Sequence, residues 1–254
     1  MPPNIPSAVP EGQIKSRRSR ARSHLLLARV SNLPTVWSNV VAGFIGAAVT
    51  APSGPGLDAT AGVLVPLASL SLFYTGGMFL NDAFDAGVDA AARPERPIPS
   101  GDISRREAFA VGAAMLVLGE LLMWPDVTSL ALGGVLAAAI VAYDFNHKGN
   151  PVAPFVMGAC RGLVYLAAAS HTGTVPAAVA AGAGLMTAYV ASLTVVARKA
   201  GAEARWLVPL LISGISLLDA AFLLVVVPGQ PMVAGLAALG CPLTLALQRW
   251  VPGD

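Results

Sequence analysis

The sequence predicts an all-α membrane protein, a multi-pass bundle of about eight transmembrane helices, with a ninth possible. Three observations lead to this fold class. Apolar residues make up 55% of the 254-residue chain and charged residues only 12%, about half the charged share of a soluble domain. Apolar stretches recur along the chain, and basic residues collect in alternate connections between them. The length suits one membrane domain and leaves no room for a sizeable soluble one.

The apolar stretches have the length of membrane-crossing helices, about 20 residues each. Residues 1–30 form a basic, Pro-rich arm, and residues 31–250 form a single transmembrane domain. A cleaved signal peptide ending near 47–51 is disfavoured because further spans follow. We predict the spans at 34–51, 60–80, 107–124, 127–143, 153–170, 176–197, 206–227 and 231–248.

Lysine and arginine mark one side of the membrane. The connections at 52–59, 125–126, 171–175 and 228–230 contain neither, and every basic residue except Arg161 lies in the other connections or at the termini. The positive-inside rule therefore places both termini in the cytoplasm. We predict an integral protein of the bacterial inner membrane whose basic arm touches anionic lipid headgroups. Nothing in this pattern indicates a nucleic-acid partner.

A polar segment, Asn81 to Asp89, leaves the second span at its cytoplasmic end. On a helix, Asp82, Asp85 and Asp89 share one face, where their like charges repel one another. A bound cation would remove this conflict. Carboxylates with few other ligands suit Mg²⁺, which keeps several waters and shares its shell with substrate phosphates. The alternative is a solvated helix end on which Asp89 pairs with Arg93.

A stiff loop from Arg93 to Gly101 follows the polar segment. Its prolines exclude regular helix and can hold Arg93 and Arg96 over the carboxylates. Arginine binds phosphate through a bidentate fork. Ser104 and Glu107 then form a capping box that starts the third span. Metal-binding carboxylates beside fixed arginines predict a diphosphate site.

The spacing Asn-Asp-x-x-Asp-x-x-x-Asp, followed by the Arg-Pro loop after the second span, resembles the UbiA superfamily of membrane prenyltransferases. The similarity covers most of residues 29–200 and is greatest to the EboC-like branch. The further matching segments are Asn32 to Thr35 with Asn39, Tyr143 to Lys148, and Pro154 to Gly158.

The resemblance implies a mechanism and roles for particular residues. Family members bind an isoprenyl diphosphate through Mg²⁺, the diphosphate departs, and the allylic cation alkylates a lipid-soluble acceptor in a cavity that opens to the bilayer. The implied metal ligands are Asn81, Asp82 and Asp85 with Asp89 in support, the implied diphosphate-binding residues are Arg93, Arg96 and Lys148, and Asn39 and Tyr143 are expected in the acceptor cavity.

The chain departs from the family where the second aspartate-rich motif should follow the sixth span. That stretch contains no aspartate, and Glu203 is its only acid. Either one Mg²⁺ suffices, with Arg198 or Lys199 replacing the second cation, or the chemistry has changed. In the latter case the chain is a membrane carrier or accessory protein that binds a prenylated or lipid-like ligand without catalysis.

Two charges lie deep inside predicted spans, Arg161 in the fifth and Asp219 near the middle of the seventh. Each is costly in lipid and should face the bundle interior. Either they pair with each other, or Arg161 points into the cavity and contacts the diphosphate or the acceptor as part of the catalytic set. Tyrosines such as Tyr143 could stabilise a cation through their rings, whereas His147 is predicted to be solvated.

Overall fold

The computed structural model describes residues 18–51, 61–199, 201 and 206–253. Every regular element within these ranges is helical, which confirms the predicted all-α fold class. Most of the predicted basic arm, together with Glu203, lies outside the described residues.

The helices follow the predicted spans closely. A short 3₁₀ turn at Val30–Asn32 leads into the first long helix, and a break at Leu239 divides the last predicted span into two shorter helices. The helices are α1 (Arg20–Leu27), α2 (Leu33–Thr50), α3 (Leu64–Ala92), α4 (Arg105–Leu121), α5 (Val127–Asn146), α6 (Ala153–Ser170), α7 (Ala177–Lys199), α8 (Leu207–Val226), α9 (Pro231–Ala238) and α10 (Gly240–Gln248).

Seven stretches of the described chain are long and apolar enough to cross a membrane, and α4 is not among them. With 17 residues it is one residue shorter than the shortest of the seven. It nevertheless runs antiparallel along α3, as two hydrogen bonds show. Arg105 at the start of α4 donates to the Ala83 carbonyl, and the Gly119 carbonyl near its end accepts from Ser69. We therefore treat α4 as the predicted third span.

Helix α2 lies at the centre of the bundle and packs against α3, α6, α7, α8, α9 and α10. Its side chains at Val36, Val40 and Ala47 are buried. Gly43 brings α2 against the backbone of α6, since a Cβ at this position would overlap the Tyr165 carbonyl oxygen. Close contact through small residues is typical of helices packed in lipid.

Four parts of the chain that are distant in sequence meet at one end of the bundle. Arg18 before α1, Arg93 after α3, Arg198 near the end of α7 and Pro252 after α10 line the same cavity. We call this end of the bundle the basic face. Its composition agrees with the alternation of basic connections in the sequence.

Candidate active site

Three aspartates of α3 lie at the basic face. Asp82 and Asp89 are each only 6% exposed, and Asp85 is partly buried. The backbone remains helical throughout Leu64–Ala92, so the three carboxylates share one side of the helix, as their spacing predicts.

Two arginines hold Asp82 and Asp89. Arg96 Nη1 donates to Asp82 Oδ1 at 3.3 Å and to Asp89 Oδ2 at 2.8 Å. Arg29 Nη2 donates to the same Asp82 oxygen at 3.0 Å. The guanidinium groups therefore balance the repulsion between the carboxylates.

The connection between α5 and α6 holds the third carboxylate, Asp85. Lys148 Nζ lies 2.7 Å from one Asp85 oxygen, and His147 Nε2 lies 3.5 Å from the other. The hydrogen bond to Asp85 raises the pKa of the His147 imidazole, because it stabilises the cationic form. The prediction that His147 is solvated was wrong, since its side chain is only 15% exposed and lies against Asp85.

The Arg-Pro loop positions Arg96 through its own backbone. The Ser100 N–H donates to the Arg96 carbonyl at 2.9 Å. Gly101 adopts a positive φ of 79°, which favours glycine. Helix α4 begins directly afterwards, where the Ser104 hydroxyl accepts a hydrogen bond from the Glu107 N–H. The Ser104 half of the predicted capping box is therefore present, while the Glu107 carboxylate contacts Arg20 and His24.

Two adjoining cavities open at the basic face. The smaller, about 350 Å³, is lined by the polar segment of α3 and by the connection between α5 and α6. The residues that face it include Asn81, Asp85, Asp89, His147 and Lys148.

The larger cavity has a volume of about 890 Å³. Five arginines line it: Arg18, Arg29, Arg93, Arg96 and Arg198. Three of them, Arg29, Arg93 and Arg96, also line the smaller cavity. An anion bound at these three shared arginines would therefore lie next to the carboxylates of the smaller cavity.

The smaller cavity offers the oxygen donors that Mg²⁺ prefers, from the amide of Asn81 and the carboxylates of Asp85 and Asp89. Within the described residues, no three acidic, histidine or cysteine side chains come close enough together to hold a metal ion. Mg²⁺ is usually bound by one or two carboxylates, with waters and substrate phosphate completing its shell. The residues therefore fit Mg²⁺ together with a phosphorylated ligand. Asp82, also predicted as a ligand, lines the larger cavity and contacts two arginines.

The two basic residues at the end of α7 are placed differently. Arg198 donates to the carbonyls of Asn150 and His147 at 2.8 and 2.9 Å and lines the larger cavity. Lys199 is exposed and lies on the wall of neither cavity. Of the two predicted substitutes for a second metal ion, only Arg198 is brought to the site.

Inside the bundle, Asn39 connects Arg161 to the buried Asp219. Arg161 Nη1 donates to Asn39 Oδ1 at 3.0 Å, and Asn39 Nδ2 donates to both Asp219 oxygens at 3.0 and 2.8 Å. The hydroxyls of Ser38 and Tyr165 also donate to Asp219. The predicted direct ion pair is thus replaced by an amide bridge. Asn39, expected in the acceptor cavity, is fully buried in this network.

An apolar cavity of about 90 Å³ lies between α2, α3, α5 and α6. Its polar wall consists of Tyr74, Tyr143, Asp144 and Arg161. The Arg161 guanidinium lies 5.5 Å from the centre of the Tyr74 ring, within range of a cation–π interaction. Arg161 therefore also lines a cavity, which agrees with the second of the two predicted alternatives.

Two residues of the site were missed by reasoning from the sequence. Arg29 was treated only as a charge that sets topology, although it lies three residues before the matching segment that begins at Asn32. Asp144 lies inside the matching segment Tyr143 to Lys148, and its Oδ1 accepts a hydrogen bond from Asn81 Nδ2 at 3.1 Å. The position of Asp144 at the end of a predicted span could have indicated from the sequence that it belongs to the site.

The chain matches a known protein family and is similar in sequence to several of its members. A sequence model of the UbiA prenyltransferase family matches residues 39–254. Digeranylgeranylglyceryl phosphate synthase from Methanopyrus kandleri is 36% identical over 143 residues, which cover 54% of this chain and 48% of that protein. The protein of the same name from Methanoregula boonei is 39% identical over 92 residues, covering 35% and 33%. The matched segments thus span about half or less of the length of these relatives.

Solved structures share the fold. One associated with digeranylgeranylglyceryl phosphate synthase in membranes superposes with a TM-score of 0.60 at 19% identity, covering 91% of this chain and 88% of that one. A UbiA homolog from Archaeoglobus fulgidus, bound to DMAPP and Mg²⁺, superposes with a TM-score of 0.58 at 18% identity, covering 89% and 86%. These superpositions establish a common helical bundle.

Proposed function

This chain belongs to the UbiA prenyltransferase family, and from that premise we propose that it is a membrane-embedded, Mg²⁺-dependent prenyltransferase. It would move a prenyl group from an isoprenyl diphosphate to a lipid-soluble acceptor. The observation that carries this proposal is the group of α3 carboxylates set among arginines and a lysine beside an apolar cavity. The synthase name of its relatives and the DMAPP and Mg²⁺ bound to the Archaeoglobus homolog support the same reaction class.

The diphosphate would bind where the two cavities adjoin. Arg93 and Arg96 line both cavities, and Lys148 lies beside Asp85 in the smaller one. Such cations stabilise the charge that develops on a departing diphosphate. Arg29 would join them, because its guanidinium lies against Asp82 on the shared wall.

Asn81, Asp85 and Asp89 would hold Mg²⁺ in the smaller cavity, which they line together. When bound, the ion would neutralise the negative charge of the leaving group. Asp82 would act mainly by holding two arginines in place. Compared with the predicted ligand set, Asp89 becomes a metal ligand and Asp82 takes the supporting role.

In the transfer itself, the bond between the prenyl C1 and a diphosphate oxygen breaks, and its electron pair leaves with the diphosphate. A new bond then forms between C1 and the nucleophilic atom of the acceptor, and the proton of that atom passes to the released diphosphate. The rings of Tyr74 and Tyr143 line the apolar cavity and can stabilise the allylic cation. The apolar walls would exclude water that could otherwise capture it. Arg161, held by Asn39 and Thr35, would lie beside the acceptor.

The protein is an integral membrane protein, and we propose that its basic face lies in the cytoplasm together with both termini. Residues 31–250 would form the catalytic domain. The relatives used in the comparison come from archaea, so they lend no support to the predicted bacterial membrane.

A non-catalytic carrier of a prenylated lipid is the second candidate. The observation in its favour is the stretch after the sixth predicted span, which lacks the family's second aspartate-rich motif. A carrier would bind the same ligands but leave the diphosphate bond intact.

Purified protein incubated with a panel of labelled prenyl diphosphates of different lengths would separate the two functions. The transferase should release diphosphate in a Mg²⁺-dependent manner when membrane lipids are supplied as acceptors. Binding of the labelled diphosphates without release would instead support the carrier.

A further inference from the structure

The short helix α1 lies against the Arg-Pro loop at the basic face. Just before the helix, Arg18 Nη1 donates to the Glu95 carbonyl of this loop at 2.7 Å. Within the helix, the buried Ser23 hydroxyl donates to Asp102 Oδ2, directly after the loop, at 3.3 Å. Two polar contacts between segments distant in sequence therefore join α1 to the loop.

Apolar packing joins the same two segments. Leu27, the last residue of α1, is fully buried. It belongs to a second apolar cluster, separate from the main core of the bundle, together with Phe79 of α3 and Ile103. Ile98 of the Arg-Pro loop packs against this cluster. The loop and α1 therefore rest on a small core of their own, and α1 supplies part of it.

The chain that leaves α1 enters the candidate site itself. Arg29 adopts a positive φ of 43°, which is uncommon for a residue with a side chain and is found most often at functional sites. Its guanidinium lies 3.0 Å from Asp82 Oδ1 and lines both cavities of the basic face. The position of this cation therefore depends on where α1 ends.

We propose that α1, with the flanking Arg18 and Arg29, is a strap whose docking is coupled to diphosphate binding. This inference rests on the proposed function and adds a means of regulating the same site. The docked strap holds Arg29 on one side and supports the Arg-Pro loop, with Arg93 and Arg96, on the other. A diphosphate bound at these three arginines would connect the strap to the loop and stabilise the docked state. Undocking would release the cations from their positions and weaken binding.

Leu27→Ala tests the docking without altering a residue of the site. The matched control is Leu25→Ala, because Leu25 belongs to the same helix but is 48% exposed. Calorimetric titration of the full-length protein measures the affinity for a non-hydrolysable prenyl diphosphate analogue with Mg²⁺. The affinity of Leu27→Ala should fall about tenfold, as expected when only about a tenth of the molecules remain docked. Leu25→Ala should stay within about twofold of the unaltered protein.

A milder pair of variants covers the case in which Leu27→Ala folds poorly, which thermal unfolding in detergent would show. Arg20 Nη2 lies 2.6 Å from Glu107 Oε1 at the start of α4, and its side chain is 69% exposed. Arg20→Ala should weaken binding of the analogue by about threefold, since exposed ion pairs contribute little. Arg22→Ala removes the same charge from an exposed position of the same helix and should leave the affinity unchanged.

Hydrogen exchange of the amides at residues 20–29 distinguishes a coupled strap from a helix that only supports the fold. Coupling between two equilibria is reciprocal, so a bound analogue must favour docking by the factor by which docking favours the analogue. Exchange in the unaltered protein should therefore slow by about tenfold when Mg²⁺ and the analogue are bound. A helix with a structural role alone would exchange at the same rate with and without the analogue.

The outcomes separate this inference from the proposed function. Mg²⁺-dependent binding of the analogue with the same affinity in Leu27→Ala and the unaltered protein would overturn the strap and leave the proposed function standing. Equal losses in Leu27→Ala and Leu25→Ala would overturn it too, and so would a loss of affinity without any slowing of exchange. Failure of the unaltered protein to bind the analogue would overturn the proposed function, and this inference with it.

Discussion

The basic face and the interior around Asp219 both combine acids with arginine, but they satisfy the acids in different ways. At the basic face, Asp82, Asp85 and Asp89 are each in contact with a cationic side chain at the wall of an open cavity. In the interior, Asp219 is fully buried and its direct partners are hydroxyl and amide groups. Arg161 reaches it only through an amide.

This difference separates a site that can exchange its partners from one that cannot. Lys148, whose side chain is 42% exposed, can leave Asp85 and be solvated at little cost. The donors around Asp219 are buried, so losing this acceptor leaves several buried polar groups without partners. The basic face is therefore suited to binding ligands, and the interior network is suited to fixing α2 against α6 and α8.

The largest effect on stability is expected from Asp219→Asn. The amide nitrogen of the new side chain would face donors such as Ser38, Asn39 or Tyr165 in either orientation, and the charge of Arg161 would lose its compensation. Breaking a buried charge network in this way costs about 3–5 kcal/mol. We expect a large loss of folded protein, measured by thermal unfolding in detergent. Stability close to that of the unaltered protein would contradict the structural role of this network.

Asp85→Asn makes the same chemical change at the basic face and should have the opposite profile. Stability should change by less than about 1 kcal/mol, because the lost ion pair is partly exposed. The Mg²⁺-dependent affinity for prenyl diphosphate should fall on the order of a hundredfold, since a metal ligand is weakened. Calorimetric titration of the folded variant measures this loss. Unchanged affinity would show that Asp85 takes no part in binding the metal ion.

Arg96→Ala tests whether the cations of the basic face can be exchanged. Arg96 contacts both Asp82 and Asp89, so its removal exposes two carboxylates. Mg²⁺ alone should then bind more tightly, while prenyl diphosphate should bind about tenfold more weakly because a phosphate-binding guanidinium is lost. Arg106→Ala removes an exposed arginine of α4 and serves as the control. A fall in both affinities would indicate that Arg96 mainly supports the loop.

The sequence predicted the parts of this comparison that depend on local pattern. Hydropathy located the helices because each span must satisfy its backbone hydrogen bonds internally. The spacing of Asp82, Asp85 and Asp89 predicted their shared face because α3 continues without interruption to Ala92. The Arg-Pro loop was also correctly predicted to lie beside these aspartates, because it directly follows the end of α3 in the sequence.

Contacts between distant segments were not predictable in this way. The contact of Arg29 with Asp82 joins residues on either side of α2, and the contact of Asn81 with Asp144 joins α3 to α5. Both depend on how the helices are arranged in the bundle, which hydropathy does not specify. The insertion of Asn39 between Arg161 and its acid has the same origin.

The smallest effects are expected at the end of α7, where single substitutions separate two neighbouring cations. Arg198→Ala should weaken prenyl diphosphate binding by about tenfold, partly restored at high Mg²⁺, because Arg198 lines the larger cavity and holds the carbonyls of His147 and Asn150. Lys199→Ala should change the affinity by less than about twofold, since an exposed side chain away from the cavities acts only through a screened field. Titration with Mg²⁺ should saturate at about one ion per protein if a cation replaces the second metal. Equal losses in the two variants would show that only net charge matters here, and no loss in either would strengthen the carrier as the function.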